Sequence, residues 1–197
     1  MAFPRLLAMS EVQWTQPEHK DFESFARRLD KEFERLDYCG VNACRNFYEV
    51  NQAGAWNKSQ QTYEVTLNTF CPDADIYYAV NDSTVNTSSS LYETPIPLDE
   101  DATIYSAVYR SGKPLGKVTR KSFAVNKATG CDYTCNPEAG WEHLNKGFGL
   151  TDGRRGYARD MRRWISFYQD TVQIVVELKK PQKVKEVAFS SLWRPVN

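Results

Sequence analysis

Cysteine, histidine and carboxylate are the side chains of this sequence most able to do chemistry, and their spacing narrows what that chemistry can be. The five cysteines are Cys39, Cys44, Cys71, Cys131 and Cys135, and the two histidines are His19 and His143. No C-x-x-C pair occurs, so a tetrahedral zinc site is not expected. Thiolate catalysis needs a base in hydrogen-bond reach, and His143 is the sole candidate for Cys131 or Cys135. No motif is recognisable that would orient that histidine, so thiol catalysis is set aside. Cys131 and Cys135 flank Asp132, Tyr133 and Thr134 in what reads as a loop, where a disulfide and two reduced thiols are both open readings. The acidic run Asp99-Glu100-Asp101 reads as a solvated turn in preference to a catalytic pair.

The chain that must position these groups has 197 residues, enough for one or two domains. Its 25 Lys and Arg balance 25 Asp and Glu, which argues against a nucleic-acid footprint. Hydrophobic residues make up 41%, and 26 Phe, Trp and Tyr supply ample material for a core, so general disorder is excluded. The longest apolar runs, residues 2–9 (broken by Pro4 and Arg5) and Ile174 to Val176, fall far short of the ~20 residues of a membrane-spanning helix. No basic segment leads into a long apolar stretch at the start and no lipidation motif is present, so no signal peptide is expected there.

One long helical pattern stands out. Between Glu18 and Asp37, the residues Phe22, Phe25, Ala26, Leu29, Phe33 and Leu36 fall on one apolar face. Pro17 precedes it, acidic residues fill its first turns and Gly40 follows, as a real helix requires. Pro4 to Met9 reads as the remainder of another helix entering a turn that contains Trp14.

From about Asn42 the texture changes to short alternating or β-branched runs: Thr62 to Phe70, Asp75 to Val80, Thr103 to Tyr109 and Lys117 to Val125. Four such runs suggest an antiparallel sandwich. In the first run Tyr63, Val65, Leu67 and Thr69 should face the core. Pro95 and Pro97 confine their segment to an edge or turn, and Ser111-Gly112-Lys113 reads as a hairpin turn. After a linker-like stretch, Thr171 to Leu178 and Lys183 to Leu192 read as two further strands. The expected fold class is therefore mainly β with an N-terminal helical segment.

Taken in order, these pieces resemble the C-terminal third of bacterial family 20 glycoside hydrolases, the β-N-acetylhexosaminidases. Met1, Pro4-Arg5, Ala8, Glu11 and Trp14, followed by the helix from Glu18 to Leu36, are similar to the entry of that family's barrel into its last helix and to the closing helix itself. Ile76-Tyr77-Tyr78, Asp82, Ser88-Ser89-Ser90-Leu91-Tyr92, Pro95-Ile96 and Thr103-Ile104-Tyr105-Ser106-Ala107 resemble a fibronectin type III-associated domain. Gly149-Leu150-Thr151-Asp152-Gly153, then Trp164, Asp170 and Glu177-Leu178, resemble the opening half of a discoidin-like module, although that family more often has Asp where Glu177 stands.

The resemblance implies three parts: residues 1–40 as a helical remnant of the last barrel elements, 41–130 as an immunoglobulin/fibronectin-like β-sandwich, and 131–197 as a partial second, discoidin-like sandwich. It implies a parent enzyme in which the substrate's own acetamido group attacks the anomeric carbon while a protein acid protonates the leaving oxygen. The family's catalytic Asp-Glu pair and substrate-binding Trp and Glu lie upstream of this sequence, so no catalytic residue is assigned here, and Glu11 and Trp14 are read as structural. The chain is expected to be a fragment: a non-catalytic accessory region of an exported enzyme, periplasmic, cell-surface or secreted. Its partners would be the upstream barrel and, through the parent, N-acetylhexosamine-containing glycans. The rival is an autonomous carbohydrate-binding or adhesion module.

Discoidin-like modules also suggest a structural Ca²⁺ at the loop Thr151-Asp152-Gly153-Arg154-Arg155-Gly156, with Asp152 as ligand. The alternative, and the preferred reading, is that Asp152 caps a turn in which Gly153 takes positive φ. Trp141, Tyr157 and Trp164 are candidates to stack on sugar rings, with burial in a β core the preferred alternative. No other cofactor is expected.

Overall fold

The computed structural model describes residues 2–136, 149–154, 164–165, 167 and 171–191. The protein is mainly β with an N-terminal helical segment, as expected. Helix α1 spans Arg5–Trp14 and α2 spans Phe22–Tyr38, with short 3-10 turns at Pro17–His19 and Asn46–Tyr48. The strands are β1 (Asn51–Asn57), β2 (Thr62–Asn68), β3 (Asp75–Val80), β4 (Ser90–Leu91), β5 (Ile96–Leu98), β6 (Ala102–Arg110), β7 (Lys113–Pro114), β8 (Thr119–Phe123), β9 (Asp132–Asn136) and β10 (Gln173–Glu177). They pair in the orders β1-β2-β5, β4-β3-β6-β7 with β8 also on β6, and β10-β9.

Two compact units result. The first comprises Met1–Ala53, Thr66–Pro95 and Thr103–Ser122. Within it α2 begins four residues later than the apolar pattern suggested, because Pro17 opens a 3-10 turn and Asp21 acts as the N-cap. The Asp21 carboxylate accepts from Glu23 N at 2.9 Å and Ser24 N at 3.2 Å, satisfying two of the donors a helix start leaves unpaired. The apolar stripe then buries Ala26, Leu29 and Phe33, each at most 2% exposed. Phe33 packs on Phe47 and Tyr48, with ring centroids 6.4 and 5.4 Å away, and the Arg45 guanidinium lies 4.3 Å from its centroid. Trp14 is the last residue of α1 and not part of a turn.

The same unit holds the β3–β6 ladder, in register from Asp75↔Tyr109 to Val80↔Ile104. Ile76, Ile104, Ser106 and Val108 fill its inner face. From β1 the buried Gln52 amide donates to Ser106 Oγ at 2.7 Å and to the Thr119 carbonyl at 3.2 Å, so β1 lies over β6 as in a two-layer sandwich. The expected hairpin forms, with Ser111 and Gly112 as its two-residue turn and Lys113 already in β7, paired with Arg110.

The second unit comprises Gly54–Val65, Ile96–Ala102 and Phe123–Asn197. Tyr63 and Val65 are buried as the alternation required, and they pair with Leu98 and Ile96 of β5. Pro97, opposite Glu64, sits on the terminal strand of that sheet, where its missing N–H costs nothing.

Two sequence readings need correction in this unit. The Cys131–Cys135 segment is not a disulfide loop: Asp132–Asn136 is strand β9, in register with β10 from Glu177↔Asp132 to Gln173↔Asn136, and all five cysteines are free. Extension at about 3.3 Å per residue puts Cα atoms four residues apart roughly 13 Å from each other. A disulfide spans less than about 7 Å. The expected strand Lys183 to Leu192 does not form over its described part, residues 183–191, where Val187 and Phe189 are 85% and 69% exposed. Alternation there sets Val184 with Glu186 and Val187 with Lys185, so neither face is apolar enough to bury.

Candidate functional site

Among the described residues, titratable groups gather in the first unit around Asp30 on α2. Its carboxylate accepts from the Tyr48 hydroxyl at 2.6 Å and, on its other oxygen, from Arg110 Nη1 at the end of β6. Arg110 Nη2 also donates to Cys71 Sγ at 2.9 Å and to the Pro72 carbonyl at 3.1 Å. Burial, reinforced by the Asp30 hydrogen bond, pushes the Tyr48 phenol above its ordinary range. Burial also pushes the Cys71 thiol up, against the pull of the Arg110 charge. A phenol and a thiol held protonated offer neither a base nor a nucleophile at neutral pH. The cluster is thus a clamp that fixes α2 to β6 and not a catalytic centre.

A different surface of the same unit has the make-up of a binding face. Cross-strand pairing puts Asp75, Tyr77 and Ala79 of β3 beside Tyr109, Ala107 and Tyr105 of β6 on one side of the sheet. Val85, from the loop between β3 and β4, packs with Ala107 and Tyr109, and Tyr77, Ala79 and Tyr105 pack against that group. The Tyr109 hydroxyl donates to the Val85 carbonyl at 3.0 Å, and the Tyr77 and Tyr109 rings meet edge-on with centroids 5.3 Å apart. Tyr109 is buried, whereas Tyr77 and Tyr105 are half-buried and keep ring surface in solvent. The Arg120 guanidinium stands 5.9 Å from the Tyr105 centroid, at the outer limit of a cation–π contact. The sequence offered Tyr77 and Tyr105 only as part of the family resemblance; the i, i+2 recurrence puts Tyr77 and Ala79 on one face of β3 and Tyr105, Ala107 and Tyr109 on one face of β6, and the register joins the two sets.

The loop expected to carry chemistry in the second unit is built as a turn. Asp152 Oδ2 accepts from Gly149 N at 3.1 Å and Oδ1 from Arg154 N at 2.9 Å, and Gly153 has φ +73°. The loop is seated by the buried Thr151, whose hydroxyl donates to the Cys131 carbonyl at 2.7 Å, and by Arg154 Nε donating to the Gly54 carbonyl at 3.3 Å. Each oxygen of the Asp152 carboxylate accepts from a backbone N–H group. The described loop therefore fits the turn cap.

Of the stacking candidates, Trp164 is half-buried, while Trp141 and Tyr157 lie outside the described residues, as does His143. Asp99, Glu100 and Asp101 are exposed, and Asp101 Oδ1 accepts from Val125 N at 2.8 Å, the solvated turn anticipated. Glu11 on α1 pairs with Arg28 of α2, its shorter contact 2.6 Å, and the Arg28 hydrogen bond holds its carboxyl below the ordinary value. Trp14, at the end of α1, is 88% exposed.

Fold and surfaces together define a mainly β, sandwich-type module with a clamped helical lead-in. Residues 51–120, from the start of β1 into β8, match the chitobiase/beta-hexosaminidase C-terminal domain. A beta-hexosaminidase of Porphyromonas gingivalis strain W83 is 54% identical over 41 residues, a stretch covering 21% of this chain and 5% of that protein's length. These likenesses bear out the resemblance to the C-terminal region of family 20 hexosaminidases, and the matched domain ends at residue 120.

Proposed function

We propose that this chain is a non-catalytic C-terminal accessory region of an exported β-N-acetylhexosaminidase, an enzyme that removes terminal N-acetylhexosamine from glycans. The observation that carries this is the match of residues 51–120 to the hexosaminidase C-terminal domain. The clamp at Asp30 adds weight: a helix whose residue is locked by Arg110 into the same compact unit suits a sandwich that braces the end of a catalytic barrel better than a free-standing adhesion module. On this reading residues 1–40 close the barrel, 41–130 form the brace and 131–197 begin a discoidin-like module, with the protein periplasmic, at the cell surface or secreted. Export rests on the hexosaminidase relationship, since the five free thiols supply no disulfide framework.

Turnover of a chromogenic N-acetylglucosaminide tests the reading. The 197-residue chain alone should give none above a buffer blank, and the longest natural protein containing this sequence should give it readily. Activity of the short chain that survives repurification, or an inactive long protein, overturns the proposal.

A further inference from the structure

We infer that the β3–β6 face carrying Tyr77 and Tyr105 is a stacking surface for a neutral, N-acetylhexosamine-containing glycan chain. Tyr77 stands opposite Ala107 and Tyr105 opposite Ala79, so the two rings are diagonal neighbours, with Ala79 as the floor between them and Ala107 buried against Val85. Diagonal positions on antiparallel strands lie about 7–8 Å apart, room enough for two sugar rings to be served separately. Each aromatic offers a flat apolar face and a polar rim, which suits a pyranose with its C–H face and equatorial hydroxyls. The Tyr77 and Tyr105 hydroxyls have no protein partner among the described residues.

Charge selects the ligand class. The strip carries Asp75 at one end and Arg120 near the other, with uncharged side chains between, so nothing favours a polyanion over a neutral polymer. Thr103 and Ser122, whose hydroxyls lie 2.9 Å apart beyond Tyr105, extend the strip with the hydrogen-bonding groups a glycan uses. A protein partner would need large apolar anchors and a wide dry core. Two half-buried tyrosines over alanines do not supply them. Val85 acts as a positioning residue: packed on Ala107 and Tyr109, it props the flanking rings so that little freedom is lost on binding.

The choice of sugar rests on the hexosaminidase reading, but the two fail separately: chromogenic turnover does not involve this face, and polymer binding does not need a catalytic barrel. The experiment is isothermal titration of the 197-residue chain with a β-1,4-linked N-acetylglucosamine hexamer. Saturable binding is expected, weakened about tenfold by Tyr77→Ala and by Tyr105→Ala, and kept within about threefold by Tyr77→Phe and Tyr105→Phe. Ala79→Gln, which fills the floor without removing a ring, should weaken binding at an unchanged unfolding midpoint and covers the case in which an alanine variant does not fold. Absence of saturable binding by the native chain, or full binding by the folded Tyr77→Ala and Tyr105→Ala variants, overturns the inference.

Discussion

A charged clamp ties helix to sheet in the first unit, whereas in the second, backbone packs directly against aromatic rings. Around Asp30, long side chains from α2, the Asn46–Tyr48 turn and β6 meet through hydrogen bonds whose partners have reach to spare. In the second unit, backbone presses directly on aromatic rings. A Cβ on Gly130 would fall 2.1 Å from Trp56 Cε2, and one on Gly153 would fall 2.5 Å from Tyr63 Cε2. Flexible joints tolerate small errors of position; ring-on-backbone joints do not. The two units should therefore respond to substitution with different severity, even where the substitutions remove or add comparable numbers of atoms.

The largest effects are expected at Gly130 and Gly153. Both have positive φ, 72° and 73°, so a side chain adds backbone strain to the clash with a ring that is itself packed. Strain and overpacking each cost about 1–3 kcal/mol, and Gly130→Ala or Gly153→Ala should lose about 3 kcal/mol in denaturant unfolding. A loss below about 1 kcal/mol in either variant would show that Trp56 or Tyr63 swings aside, and the contrast between the units would go with it.

Asp30→Ala comes next. It strands the Arg110 guanidinium and the Tyr48 hydroxyl, but Asp30 and Arg110 keep 32% and 28% of their side-chain surface, so water can replace part of what is lost. A cost of about 2 kcal/mol follows from leaving partly buried polar groups unpaired. Tyr48→Phe, which removes a single donor, should cost about half as much. Equal costs for the two variants would mean that Arg110 contributes nothing to the clamp.

The same contrast explains what was legible in the sequence. The elements of the first unit announce themselves: the α2 stripe, the β3 and β6 alternation and the Ser111-Gly112 turn each follow from local period or turn chemistry. Strand β1 does not, because Asn51-Gln52-Ala53-Gly54 is polar and glycine-bearing, and Gln52 is buried only because Ser106 and Thr119 lie waiting for its amide. Strand β9 was hidden by two cysteines that suggested a loop, while Lys183 to Ser191 has β-branched residues without a face to bury. The turn role of Asp152 could be read locally from the Asp-Gly pair. The tyrosine face could not, since it exists only once β3 and β6 are in register.

The smallest effect is expected at the α1–α2 contact, and its sign is fixed by the Glu11 carboxyl. The Arg28 hydrogen bond holds that carboxyl below its ordinary value of 4.5. A carboxyl depressed in the folded state contributes stability that is present above the ordinary value and is lost as pH falls through the depressed one. The contact should thus be intact from pH 5 to 7 and released progressively below pH 4.5. Glu11 and Arg28 lie at the surface, where salt screens an ion pair and side-chain entropy offsets much of the attraction, so global unfolding should hardly register the change. The Arg28 Nε–H resonance and the amide signals of α1 will, and their acid response should vanish in Glu11→Gln and flatten in high salt. If Glu11→Gln titrates as the native chain does, another carboxylate governs the movement, and the clamp at Asp30 becomes the charged joint to set against the ring-on-backbone packing.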